Sequence, residues 1–140
     1  MNACVFCEIV AGRSPAHPVQ GDATTMAFLD RSPAAPGHTL VVPRVHARDI
    51  WELSEDEHAR VARTAHRVAR LLKAALQPEG LSIRHASGAA AGQDVFHFHL
   101  HVIPRRRGDA IGPGWEAARA DDRELVEVRA RILAHLPELR

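Results

Sequence analysis

Tyrosine is absent from this 140-residue chain, aromatic residues make up 4% of it, and cysteine occurs twice. Two cysteines exclude a disulfide-stapled scaffold. Scarce aromatic rings, with only a short basic run, argue against the stacking platforms that hold single-stranded nucleic acid. Neither sign of charge is in excess: 18 lysines and arginines against 17 aspartates and glutamates leave a net +1. The chain as a whole has no strong field for nucleic acid or an acidic membrane, so any anion must be met locally. No apolar run approaches the roughly 20 residues needed to span a bilayer. The opening MNACVFCEIV lacks a basic stretch and a small-residue cleavage pattern, which gives a cytoplasmic expectation. No repeat of fixed period is evident.

The hydrophobic fraction of 46% in 140 residues is enough for one core, and a single domain over residues 1–140 is expected. Residues 4–11 predict a short helix anchored by Val5, Ile9 and Val10 and ended by Gly12. TTMAFLD at 24–30 holds a short strand, and SPAAPG at 32–37 is turn material because its prolines exclude a regular helix. HTLVVPR at 38–44 is a buried strand whose ladder Pro43 should end. Ser54 and Glu57 form a capping-box pattern, after which Val61, Ala65, Val68, Leu72 and Leu76 recur at helical spacing. Arg60, Arg63, Arg67 and Arg70 fall on the polar side of that helix and read as a solvated face. Strands are expected at 81–85 and 95–103, and a C-terminal helix at about 122–136 with Leu125, Val128, Ile132 and Leu136 as its apolar stripe. Strands with short turns and two segregated helices predict an α+β fold with an antiparallel sheet.

Within the segment 95–103, His97, His99 and His101 alternate with Phe98, Leu100 and Val102. Residues two apart on a strand lie about 6.6 Å from each other, so His97 and His101 stand about 13 Å apart. One ion with ligand bonds of about 2.0 to 2.1 Å is poorly placed to gather all three. Gly88 and Gly92 precede the row and permit backbone shapes whose amides face an anion, and Gln93 offers a neutral donor. Cys4-x-x-Cys7 leaves three readings open: a metal pair, a metal-free pair, or a redox dithiol without the usual strand-helix setting. A tetrahedral zinc needs two further ligands, and His46 and His97 are available.

The run HFHLHVI fits the pattern His-φ-His-φ-His-φ-φ, with φ apolar, at every position. Together with CVFCEIVAG, AFLDRSPAAPGHTLVVPRVH and SGAAAGQDVFHFHLHVIPR, it resembles the histidine triad (HIT) family over about residues 4–107. The resemblance is to the zinc-containing bacterial branch of nucleotide hydrolases and phosphoramidases. It implies a HIT-like fold that forms a homodimer by extending its sheet. It also implies a purine nucleotide substrate, a phosphoramidate or a dinucleoside polyphosphate, attacked at the α-phosphate through a nucleotidyl-histidine. By position the nucleophile is His99, with its other ring nitrogen held by a backbone carbonyl. His101 donates to a phosphate oxygen, and Gln93 contacts the phosphate region or leaving group. His38 reads equally as a support for the triad from the adjacent strand and as a satisfied structural histidine. The nucleoside is expected among Phe6, Ile9, Phe28 and Leu40, beside Val5, with Asp30 accepting from ribose hydroxyls; the apolar members read equally as ordinary core. One structural zinc per chain is implied on Cys4, Cys7, His46 and His97.

Two positions depart from the family pattern. Asp94 stands where a small hydroxyl residue is common, and Ala86 stands where an Asn helps orient the catalytic groups, with only His85 and Ser87 as polar neighbours. These departures keep two alternatives in view: a nucleotide-binding or regulatory HIT protein with weak or no turnover, and a zinc-dependent hydrolase with an open coordination position. Arg105, Arg106 and Arg107 read either as ligands for distal phosphates or as a solvated strand end, and Trp115 as a residue folding over the site or across a dimer.

Overall fold

Alternation along short apolar segments builds a sheet with two buried faces. The computed structural model describes residues 4–112 and 118–136, so Trp115 lies outside the described residues. In chain order the elements are α1 (Val5–Val10), β1 (Pro18–Gly21), β2 (Thr25–Leu29), β3 (Thr39–Pro43), α2 (Glu55–Leu76), β4 (Gly80–Arg84), a 3-10 turn (Ala89–Ala91), β5 (Leu100–Arg105) and α3 (Asp122–Leu133). The five strands pair in the order β1-β2-β3-β5-β4, every pair antiparallel. The expected α+β class with two main helices is the observed one.

Helix α2 starts where the capping box places it: Ser54 Oγ accepts from the Glu57 amide, and the Glu57 carboxylate accepts from the Ser54 amide. Its stripe of Val61, Ala65, Val68, Leu72 and Leu76 is buried against Ala27, Leu29, Val41, Leu100 and Val102 of the sheet, with Leu125 and Ile132 of α3 closing the same cluster. Arg60, Arg63, Arg67 and Arg70 are exposed, as their position on the polar side predicts. A buried Thr25–Thr64 hydroxyl pair at 2.6 Å adds a polar tie between β2 and α2. On the opposite sheet face, Phe28, Leu40 and Val42 pack against Phe6, and the rest of α1 covers them. His38 and His101 have the same strand parity as Leu40, which is the register partner of His101.

Three local outcomes differ from the sequence expectations. Regular pairing of the histidine strand begins only at Leu100. Before it, Phe98 donates its amide to Ala47 O at 2.7 Å, so the segment carrying His97 and His99 follows the loop after β3. Strand β1 was not expected, because PVQG has one strong β-former and starts on proline. Helix α3 ends at Leu133, although Leu136 still packs against the core. At the 32–37 turn, Gly37 has φ of 92°, and a Cβ there would lie 2.5 Å from Leu76 Cδ1. The turn therefore abuts the end of α2 closely enough that only glycine fits.

Candidate active site

His99 is 5% exposed, and its Nδ1 lies 2.7 Å from the backbone oxygen of His97. A carbonyl can only accept, so Nδ1 carries the hydrogen, and Nε2 of the neutral ring keeps its lone pair. The ring meets Phe6 edge-on at 5.1 Å, which fixes its orientation from the α1 side. Burial, the largest influence, pushes its pKa down, while the hydrogen bond to His97 acts the other way.

His101 lies one strand step further, its ring 4.9 Å from that of His99. Its Nδ1 is 2.9 Å from Nε2 of the fully buried His38, whose own Nδ1 accepts from the Ala34 amide at 2.9 Å. Hydrogens follow from these partners. The neutral His38 must hold its proton on Nε2 and donate it to His101 Nδ1, which places the hydrogen of His101 on its own Nε2. Burial, first among the causes, pushes both rings from the ordinary 6.5 to about 4. Asp30 borders the pair, with Oδ2 3.5 Å from His38 Nε2 and Oδ1 accepting from the Ser32 amide at 2.8 Å. Burial pushes the Asp30 carboxyl up, against that hydrogen bond and the nearby histidines.

His97 serves a different cluster. Its Nε2 donates to Pro43 O at 2.9 Å, which leaves Nδ1 as an acceptor. That Nδ1 lies 3.4 Å from Cys4 Sγ, 3.5 Å from Cys7 Sγ and 3.2 Å from His46 Nδ1, and Cys7 Sγ lies 3.3 Å from His46 Nδ1. All four donor atoms fall within 4.8 Å of one another. Tetrahedral ligands on zinc are separated by about 3.3 to 3.8 Å, given bonds of about 2.0 to 2.3 Å. The donor set and spacing fit that ion. Burial first, then Cys4, pushes the Cys7 thiol up to about 11.

Between α1, the β2 and β3 strands and the start of α3 lies a cleft of about 580 Å³. Phe6, Ile9, Phe28 and Leu40 line its apolar wall, with Val5, and Asp30, Asp94, His99 and His101 line its polar wall. Residues 11–108 match the HIT domain family. The chain belongs to that family. The relatives of this HIT protein include the "Protein hit" of Bacillus subtilis, 38% identical over 120 residues, or 85% of this chain and 82% of that one. A HIT-like protein of Saccharolobus solfataricus is 42% identical over 101 residues, 72% of this chain and 73% of that one. Among solved structures, a HIT-like protein of Bartonella henselae described as involved in cell-cycle regulation superposes with a TM-score of 0.88 at 30% identity, covering 97% of this chain and 98% of that one. A zinc-bound histidine triad protein of Mycobacterium smegmatis gives 0.84 at 35% identity, covering 99% and 98%.

The expected residues of this HIT site do not all meet in the cleft. Gln93 is 6% exposed and is not among the cleft's lining residues. Its amide donates to Arg48 O at 2.7 Å and Val95 O at 3.0 Å, and accepts from the Gly88 amide at 2.7 Å. These bonds hold the loop. In the glycine loop the amides of Ala91 and Gln93 turn back to Gly88 O and that of Gly92 to Ala89 O. Beside Ala86, His85 donates from Nδ1 to His99 O at 2.9 Å and pairs through Nε2 with Ser87 Oγ, which in turn accepts from the Ile50 amide. Asp94 lines the cleft.

Two of the three consecutive arginines are used within the fold, and the Arg107 side chain stays exposed. Arg105 forms a two-pronged pair with Asp109 at 2.8 and 2.7 Å, Arg106 donates to Leu76 O and Gln77 O at the end of α2, and Arg107 lies 3.8 Å from Glu79. None lines the cleft. Sequence reasoning missed His17, Arg119, Asp122 and Val126, which the structure adds to the cleft wall. The apolar stripe of α3 signalled where the helix packs, but nothing in it signalled that its first turn borders a site.

Proposed function

We propose that this HIT protein is a nucleotide hydrolase or nucleotidyl transferase that attacks the α-phosphate of a purine nucleotide conjugate through a nucleotidyl-histidine. The observation that carries this reading is the 2.7 Å hydrogen bond from His99 Nδ1 to His97 O, which leaves the Nε2 lone pair in a nucleoside-sized cleft beside His101. In the first step His99 Nε2 forms a bond to phosphorus, and the leaving group departs with the electrons of its own bond to phosphorus. In the second step a water oxygen bonds to phosphorus, the histidine–phosphorus bond returns its electrons to Nε2, and one water proton passes to solvent. His101, its hydrogen placed on Nε2 by His38, donates to a non-bridging oxygen as charge builds there. Phe6, Ile9, Phe28 and Leu40 hold the base and sugar, and Asp30 accepts from ribose hydroxyls. Gln93 acts by fixing the loop that carries Asp94 and Val95.

The Cys4, Cys7, His46 and His97 cluster holds one zinc ion in this reading. The ion supplies a structural cross-link between α1, the loop after β3 and the triad segment. Four protein donors close a tetrahedral shell, which argues against a zinc hydrolase with an open position. Free Cys4 and Cys7 thiols suit the reducing cytoplasm, and no described helix is long and apolar enough to cross a membrane. Ala86 motivates the second reading, a nucleotide-binding protein with weak turnover.

Intact-mass spectrometry after brief reaction with nucleoside phosphoramidates and dinucleoside polyphosphates separates these readings. The expected result is one added nucleoside monophosphate on His99, and turnover lost by at least roughly a thousandfold in His99→Ala with metal content unchanged. Turnover that survives in His99→Ala overturns the mechanism. Binding without an adduct supports the second reading.

A further inference from the structure

We infer that Asp94 selects substrates by the charge of their leaving group, favouring nucleoside 5′-phosphoramidates whose amine bears a second, positively charged nitrogen over those whose leaving group is anionic. This rests on the reading that His99 attacks an α-phosphate in the cleft.

Asp94 lines the same cleft as His99 and His101. Its backbone is anchored from both sides, because the neighbouring Gln93 is buried and bonded to Arg48, Gly88 and Val95. Its Oδ1 accepts from the Val95 amide at 2.9 Å, which fixes the carboxylate plane. Among the described residues none of the ion pairs involves Asp94. The cleft's Arg119 sits 3.9 Å from Asp122 instead, and Arg48 is engaged with Asp49 at 3.4 Å. Asp94 is solvent-exposed and, with no ion-pair partner among the described residues, presents its negative charge at a cleft that, on the reading above, receives a phosphate.

That charge is felt at the reacting groups. Burial dominates at His101 and pushes it down, and Asp94 is among the charges acting against it. At Asp30, burial raises the carboxyl and Asp94 adds to the rise. A carboxylate in this position opposes a polyphosphate or carboxylate leaving group and attracts an ammonium. For such a substrate the phosphoramidate nitrogen takes a proton from water before reaction. His99 Nε2 then bonds to phosphorus, the phosphorus–nitrogen bond breaks with its electrons on nitrogen, and a neutral amine departs while the distal ammonium is unchanged.

The test is a matched series of nucleoside 5′-phosphoramidates of an alkylamine, a diamine with a free ammonium and an amino acid with a free carboxylate. It is run on the wild-type protein, Asp94→Asn and Asp94→Ser, at low and high salt. Asparagine retains the acceptor for the Val95 amide, and serine controls for any effect of the amide group. The expected wild-type kcat/KM favours the diamine over the carboxylate compound by about tenfold or more. Both variants bring that ratio close to one, and salt shrinks it in the wild type alone. A wild-type ratio near one, or a ratio retained in both variants, overturns the inference while leaving the His99 reading intact. Absence of any His99 adduct across the series overturns both.

Discussion

In the proposed reaction His99 must be neutral to attack phosphorus, and its surroundings favour that form. Burial moves its pKa below the ordinary 6.5, and His38 and His101 are pushed to about 4. A histidine whose pKa is depressed loses its neutral form only as pH falls through the depressed value. The expected profile of kcat/KM is therefore level from pH 8 down to 6.5 and falls in the acid range below it. A half-maximal point above pH 6.5 would contradict the burial argument, and a level profile extending well below pH 4 would contradict the need for a neutral triad. The three rings illustrate one rule: each nitrogen's role follows from what its neighbour nitrogen touches. Pro43 O, His97 O and His38 Nε2 leave, in turn, a lone pair on His97 Nδ1, a lone pair on His99 Nε2 and a hydrogen on His101 Nε2.

At the scale of elements, the two sheet edges are unequal. Strand β1 has four residues, begins on Pro18, carries a register shift between Pro18 and Gln20, and is approached by α3. These features blunt an edge against further pairing. The other edge, β4, has five residues in unbroken register with β5 and an Ile83 that is 51% exposed. Pairing of two β4 strands would extend the sheet across a homodimer and cover that side chain. Sedimentation at micromolar concentration should then show a two-chain species, shifted toward monomer by Ile83→Lys. A wild-type chain that sediments only as monomer would exclude such an interface. Edge pairing of this kind draws on backbone groups already aligned, so it needs no rearrangement of β4.

Across the whole molecule, the Cys4, Cys7, His46 and His97 cluster joins three segments that are far apart in sequence. Removing a metal held there should act on stability before chemistry, because none of its four donors faces the cleft. Prolonged chelation, or Cys7→Ser, is expected to lower the melting temperature by roughly 10 °C or more, the shift that about 3 kcal/mol produces at this size. Turnover below the new transition should persist. Turnover that vanishes on chelation while the fold is unchanged by circular dichroism would instead assign the metal a chemical role.

Local patterns in the chain determined the capped helix α2, the alternation that buries Leu40 and Val42 on one face with Val41 on the other, and the equal spacing of the three histidines. These depend on residues within a turn or two of each other, where backbone geometry alone relates them. Tertiary structure decided the rest. Arg105, Arg106 and Arg107 were ambiguous in sequence because only the fold brings Asp109, the end of α2 and Glu79 to them. The partners of Gln93 were not legible because one of them, the Arg48 carbonyl, lies 45 residues away in sequence. Strand β1 was illegible because its pairing with β2 and its cover by α3 supply what its four residues lack. The tautomer of each triad ring, and the place of Asp94 in the cleft wall, rest on partners and walls contributed by distant segments. Hydrogen bonds and burial are properties of assembled neighbours, so no spacing along the chain encodes them directly.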